Sequence, residues 1–312
     1  MEPRVTVLLP THNRADVLGY AIRSVLWQTE QDFELLIVGD GCSDNTSGVV
    51  ATFQDPRVRW FDLPKAPLSG YANRNTALRQ ARGRYVAYAQ HDDIWFPDHV
   101  ERLIAAMDGS GADWAYSLPL WAMPDGALIP VPINLTHQDE LDHFLLVENR
   151  IPSTCVMHSR QALERVGYWP ETVSRIADWR CWQRIITTSG TRMIGYCAVP
   201  TALHFSTAAT RRDTLMSLRW TNVPADAWPT SCQFVVQPGG TEQRQFFNLL
   251  APAPSAWVDR VRAAIPDVMD RQARAWIAVL ENEVRASESR WSSSTALVRR
   301  LATTLFRKAM PR

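Results

Sequence analysis

Residues 85–98 read YVAYAQHDDIWFPD, an apolar run that stops on a histidine and two adjacent carboxylates, Asp92 and Asp93. Neighbouring like charges repel, so either water solvates them or a cation joins them. Capping of a helix that begins near Pro97 is the plainer alternative. Three more residues with chemistry to offer follow apolar runs or sit in a helical one: His12 in PTHNR (10–14), Asp40 in GDGCSDNT (39–46) and Arg74 in GYANRN. A ring that can stack on a base, a carboxylate, a cation and an acidic pair suit a nucleoside diphosphate bridged to a metal ion. Taken singly, His12 also reads as a surface histidine and Arg74 as an exposed helix arginine paired with a carboxylate.

These residues need elements to position them. RVTVLLP (4–10), FELLIVG (33–39), RVRWFDL (57–63) and RYVAYA (84–89) read as strands. Between them, 14–28 carries Leu18, Ile22, Val25 and Leu26 at helical spacing, Ser43 or Asp44 is placed to cap a second helix, and 71–81 forms a third. Strand–helix alternation predicts an α/β fold with a mostly parallel, doubly wound sheet covered on both faces. Ligands of such sheets bind beyond the carboxyl ends of the strands, so PTHNR, GDGCSDNT and QHDD are expected to meet in one crevice.

Composition narrows the ligand. With 33 basic and 32 acidic residues among 312, the chain lacks the cationic excess of a general nucleic-acid binder. The turn after the first strand has no glycine, against a GxGxxG dinucleotide site, and neither a GxxxxGK[ST] loop nor a GxSxG elbow occurs. Lys65 and Lys308, the two lysines, sit in no motif, so Schiff-base chemistry is not expected. Five cysteines without a CxxC pair fit a reducing compartment and argue against zinc, and cytoplasm is the expected location.

The ordered motifs VTVLLPTHNRADVLGYAIRSVLWQTEQDFELLIVGDGCSDNT, GYANRNTALRQARGRYVAYAQHDDIWFPD and ADWRCW (177–182) resemble the family 2 glycosyltransferases, whose fold is GT-A, a Rossmann-like mixed sheet flanked by helices. The resemblance runs to about LHFS (203–206). It implies that Pro10, Thr11, His12 and Asn13 line the nucleotide of a UDP-, TDP- or GDP-sugar donor, that Asp40 hydrogen-bonds the base, and that Arg74 contacts the nucleotide. In the turn at 90–92, His91 and Asp92 occupy donor positions, and Asp92 matches the ligand of Mg²⁺ or Mn²⁺. His204 matches a region where some relatives place a histidine near the diphosphate or metal. Asp178 falls in the slot of the base for an inverting transfer, where a plain helix N-terminal acid is the alternative. The segment 149–169 resembles the floor of an acceptor pocket, which makes Thr154 an acceptor candidate beside Trp95 and Trp179, rings able to stack on a sugar. Cys155 reads as a small buried hydrophobe.

Gln90, Gly39 and Ala177 stand where the family usually has acids. A lone carboxylate implies weak metal affinity without donor, since phosphate oxygens must complete the shell. The same departures raise an alternative, a noncatalytic nucleotide- or carbohydrate-binding relative.

Residues 1–206 are thus expected to form a catalytic domain (1–100 nucleotide-binding, 101–206 acceptor-binding) and 207–312 a mainly helical extension. Within it, Met269, Ala273, Trp276, Leu280 and Val284 have helical spacing. The tail 295–312 reads as a basic amphipathic helix, docked on protein or lying at an anionic membrane near a lipid-linked acceptor. A carbohydrate or small-molecule acceptor fits as well. No apolar run is long enough to span a bilayer.

Overall fold

The computed structural model describes residues 2–122, 128–189, 193–205 and 241–288. Strands β1 (Val5–Thr11), β2 (Phe33–Asp40), β3 (Val58–Leu63) and β4 (Tyr85–Tyr88) alternate with helices α1 (Leu18–Leu26), α2 (Thr46–Ala51) and α3 (Tyr71–Leu78). β1 and β2 are buried throughout. Covered on both faces, they read as unbroken apolar runs instead of alternating ones. Helix α1 starts later than its apolar spacing suggested, because residues 14–17 form a turn in which Val17 N–H donates to Arg14 C=O.

Next come β5 (Ile94–Trp95), α4 (His99–Ser110), β6 (Trp114–Ser117), β7 (Leu120–Ala122), β8 (Leu128–Pro130), α5 (Gln138–Leu146), β9 (Val156–Ser159), α6 (Arg160–Val166), α7 (Ala177–Thr188), β10 (Ile194–Cys197) and β11 (Ala202–Phe205). The main sheet has seven strands in the order β10-β6-β9-β4-β1-β2-β3, and a smaller sheet follows β5-β11-β7-β8. The main sheet is mixed and mostly parallel, as expected: β9 runs antiparallel to β4 and β6, and its other pairs are parallel.

Strand order locates the crevice. The chain moves outward from β1 through β2 to β3, then lays β4 on the other side of β1, which makes the β1/β4 gap a topological switch point. The β1–β4 ladder ends at Leu8 and Tyr88, while β1 stays paired with β2 up to Thr11 and Gly39. Pro10, which has no N–H to give, falls just past the end of the β4 pairing.

Helices α8 (Glu242–Leu250) and α9 (Pro254–Glu288) cover the smaller sheet. Phe246, Phe247, Leu250, Trp257, Val261 and Ile265 share one core with Ile94, Phe96, Leu120, Leu203 and Phe205. Arg262 fastens this layer to the start of α4: its Nη1 and Nη2 donate to the two oxygens of Asp98 at 2.6 and 2.8 Å, and its Nε donates to Pro200 C=O. Arg262→Met leaves a mostly buried carboxylate short of its fork-shaped partner, and should lower stability in urea unfolding by about 2 kcal/mol. Residues 221–240, rich in turn formers, and the tail 295–312 lie outside the described residues. No helix among the described residues is long and apolar enough to cross a membrane.

Candidate active site

At the carboxyl end of β1 and β2, Pro10, Thr11, His12, Val38, Asp40, Lys65, Ser69, Gly70, Arg74 and His91 surround one recess. The ends of β1 and β4 and the turns after β2 and β3 therefore converge, as strand order requires. His12 Nδ1 donates to the Asp40 backbone C=O at 2.8 Å, which fixes the ring against β2. Thr11, which lines the recess, has an Oγ1 that is buried and without a hydrogen-bond partner among the described residues. Burial opposes ionisation of Asp40, but the Lys65 ammonium, the Ala66 N–H and the Asn73 amide hold its carboxyl below the ordinary range. Gly70, at φ 72°, lets α3 begin against this carboxylate, since a Cβ there would lie 2.5 Å from Asp40 Oδ2.

Asn13 plays a different part. At φ 51°, its Oδ1 accepts from Ser43 N–H at 2.7 Å and Asp44 N–H at 3.3 Å, so its carbonyl braces the turn after β2. Asp44 Oδ1 in turn accepts from Thr46 N–H at 3.0 Å, but the N-cap position of α2 is Asn45, one residue beyond the Ser43 or Asp44 expected to cap it.

The two carboxylates of QHDD separate. Asp93 is 2% exposed and accepts from His204 Nδ1 at 3.0 Å and from Phe205 N–H at 2.9 Å. Asp92 instead meets Arg14 Nη1 at 3.4 Å and lies 3.8 Å from His91 Nε2. Neither caps α4, whose first turn is preceded by Asp98. A cation shared by both is thus not the arrangement; repulsion is relieved by turning one inward. Burial disfavours a charged ring at His204, yet the Asp93 carboxylate holds the imidazole above its usual range. Burial likewise lowers His91, whose Nδ1 donates to Pro10 C=O. The Gln90 amide donates to Ser153 Oγ, away from Asp92. Among the described residues no group of three or more His, Cys, Asp or Glu forms a metal cluster. Asp92, a hard oxygen donor next in sequence to the recess-lining His91, fits a cation whose remaining ligands come from a bound diphosphate.

Asp178 sits in the first turn of α7. Burial raises its carboxyl above the ordinary carboxylate range, against the Trp179 N–H, which donates to Oδ1 at 2.8 Å, and the charge of Arg74. Burial lowers Arg74, which is countered by Tyr71, Asp178 and Asp40. Its guanidinium lies 5.2 Å from the Tyr71 ring and 5.8 Å from Trp169. Arg74 lines the recess, and its charge opposes the upward shift of Asp178.

The profile described as "Glycosyl transferase family 2" matches residues 6–167. The chain belongs to glycosyl transferase family 2. Among curated members, this family 2 chain is 36% identical over 112 residues to the Escherichia coli UDP-Glc:alpha-D-GlcNAc-diphosphoundecaprenol beta-1,3-glucosyltransferase WfgD, covering 36% of this chain and 44% of that one. It is 38% identical over 113 residues to the succinoglycan biosynthesis protein ExoO of Rhizobium meliloti, covering 36% and 32%. The matches span less than half the length of each relative. Among solved structures, S. aureus TarS 1-349 in complex with UDP superposes with a TM-score of 0.54 at 17% identity, covering 70% of this chain and 66% of that one. Mannosyltransferase PcManGT from Pyrobaculum calidifontis, in complex with GDP-Man and Mn2+, gives 0.51 at 17% identity, covering 100% and 82%. The fold is GT-A.

Some expected site residues of this family 2 chain lie elsewhere. Trp95 is 1% exposed: its Nε1 donates to Thr154 Oγ1 at 2.9 Å and its ring stacks on His99 at 4.0 Å. Thr154 is wholly buried in a short 3-10 turn before β9. Both are therefore internal packing residues and not an acceptor surface in this structure, because an apolar ring at the end of a strand found a core to enter. Trp179 remains half-buried, with Nε1 donating to Phe144 C=O. Cys155 is fully buried and burial pushes its thiol up, in keeping with a small apolar role. Lys65 is the residue that motif reasoning passed over. Its signal was positional: it stands two residues after the carboxyl end of β3, where ligands of such sheets bind.

Proposed function

We propose that this chain transfers a sugar from a UDP-sugar to an acceptor hydroxyl with inversion, residues 1–206 carrying the reaction. The observation that carries this reading is the recess beyond β1 and β2, where Pro10, Thr11, His12, Asp40, Arg74 and His91 come together; the charge of Arg74 also opposes the upward shift of Asp178 at the head of α7. On this reading the nucleotide lies in the recess and the base is Asp178 in the first turn of α7. Pro10, Thr11, His12, Asp40 and His91 hold the nucleoside, and Asp92 would hold Mg²⁺ or Mn²⁺, with His204 beside it. When bound, that ion would supply charge compensation to the departing diphosphate. Asp178, lifted by burial, accepts the proton of the acceptor hydroxyl as its oxygen attacks the anomeric carbon and the nucleoside diphosphate leaves from the opposite face. Uridine is favoured by the UDP-Glc donor of the relative WfgD. The same relative's name supports a lipid-linked acceptor in cell-surface glycan assembly, reached from the membrane surface.

The test is a thermal-shift panel of UDP, TDP and GDP with and without Mn²⁺, followed by assays of UDP-sugar hydrolysis and transfer to lipid-linked and soluble acceptors. Stabilisation by UDP that grows with Mn²⁺, together with sugar release, is expected. Stabilisation without any turnover across these acceptors would favour a binding protein that has lost catalysis, and no stabilisation would remove the donor reading.

A further inference from the structure

We propose that Lys65 reads the nucleobase of the donor, and that with Asp40 it selects a ring presenting an N–H beside a carbonyl, as on the imide edge of uracil. This rests on the reading of the recess as the nucleotide site. Asp40 Oδ1 accepts from Ala66 N–H at 2.8 Å and from Asn73 Nδ2 at 2.7 Å. Oδ2 accepts from Lys65 Nζ at 2.6 Å. A carboxylate has about four acceptor positions, so one remains on Oδ2, next to the ammonium. The ammonium has three protons, of which this bond uses one. A ring N–H that fills the last place on Oδ2 therefore brings its neighbouring carbonyl to a cationic donor.

The lysine is held in a built position. Gly41 N–H donates to Leu63 C=O at 2.8 Å, Asn73 Nδ2 donates to Pro64 C=O at 2.8 Å, and Ala66 N–H is taken by Asp40, so the backbone on either side of Lys65 is pinned. Gly41, at φ 67°, permits this approach: a Cβ there would come within 2.6 Å of the Lys65 side chain. The Lys65 side chain is half-exposed while Asp40 is buried, which leaves the ammonium reachable from the recess. Charge compensation of Asp40 alone would ask for no such framing, because two neutral donors already serve its other oxygen.

The experiment measures calorimetric affinities of UDP, 2-thio-UDP and 4-thio-UDP, each with Mn²⁺, for the full chain and for Lys65→Met and Lys65→Arg. Sulfur is a poor acceptor, so the wild type should bind one of the thio nucleotides about tenfold more weakly than UDP, the scale of a charged hydrogen bond. Lys65→Met should bind UDP about tenfold more weakly and no longer distinguish it from that analogue, whereas Lys65→Arg should keep part of the preference. The assignment fails if the wild type treats the three nucleotides alike, or if Lys65→Met weakens all three by one factor. Either result, with UDP still bound, leaves the nucleotide site standing and removes only Lys65 from base reading. Absence of nucleotide binding in the wild type overturns both.

Discussion

Asp178→Asn should cut kcat for sugar transfer about a thousandfold while UDP binds as before. The asparagine is nearly the same size and keeps an oxygen for the Trp179 N–H that now donates to Asp178 Oδ1. What it loses is the capacity to take a proton. Burial raises the Asp178 carboxyl, so the wild-type rate should rise with pH through a pKa above the ordinary aspartate range of about 3.9. The direction is settled by the base being active only when unprotonated: acidification through that raised pKa removes activity. Arg74 contributes the opposing pull, holding Asp178 lower than burial alone would. Arg74→Met should therefore move the acidic limb of the kcat profile to higher pH, in addition to weakening donor binding. A limb that stays in place in Arg74→Met, or Asp178→Asn turnover within tenfold of wild type, would take the proton-accepting role away from Asp178.

Asp92→Asn should lower kcat/KM at least a hundredfold and abolish the extra thermal stabilisation that Mn²⁺ gives to the UDP complex. Gln90 is turned to Ser153 and Asp93 is committed to His204 and Phe205, so neither stands in as a spare oxygen ligand. Binding of UDP measured without metal should change little, because the recess is formed by other residues. If the asparagine variant still shows a Mn²⁺-dependent gain with UDP, the cation is held by something other than Asp92.

The first half of the sheet was largely legible from sequence. Its central strands β1 and β2 are buried on both faces and so carry a largely apolar signal, and the polar clusters that follow them meet where strand order places them. Asp92 and Asp93 show the limit. Adjacent in sequence, they have opposite environments, a distinction set by His204, which is more than a hundred residues away and arrives on β11. Trp95 and Thr154 illustrate the same gap: a tryptophan reads alike whether its indole N–H finds a sugar or a buried threonine, and the choice is tertiary. Lys65 escaped because its partner Asp40 lies on a neighbouring strand, and only the β2–β3 pairing brings them together.

The seam between the small sheet and the last two helices bears on how the polypeptide can be shortened. Ending it after β11 would strip Phe246, Trp257 and Val261 from the faces of Ile94, Phe96 and Phe205, and would take Arg262 from Asp98. Such a fragment would leave its producing cell as insoluble material, and β11, which carries His204 to Asp93, would lose the lining behind it. Helices outside the 6–167 span of the family profile thus act as the wall on which part of that span leans.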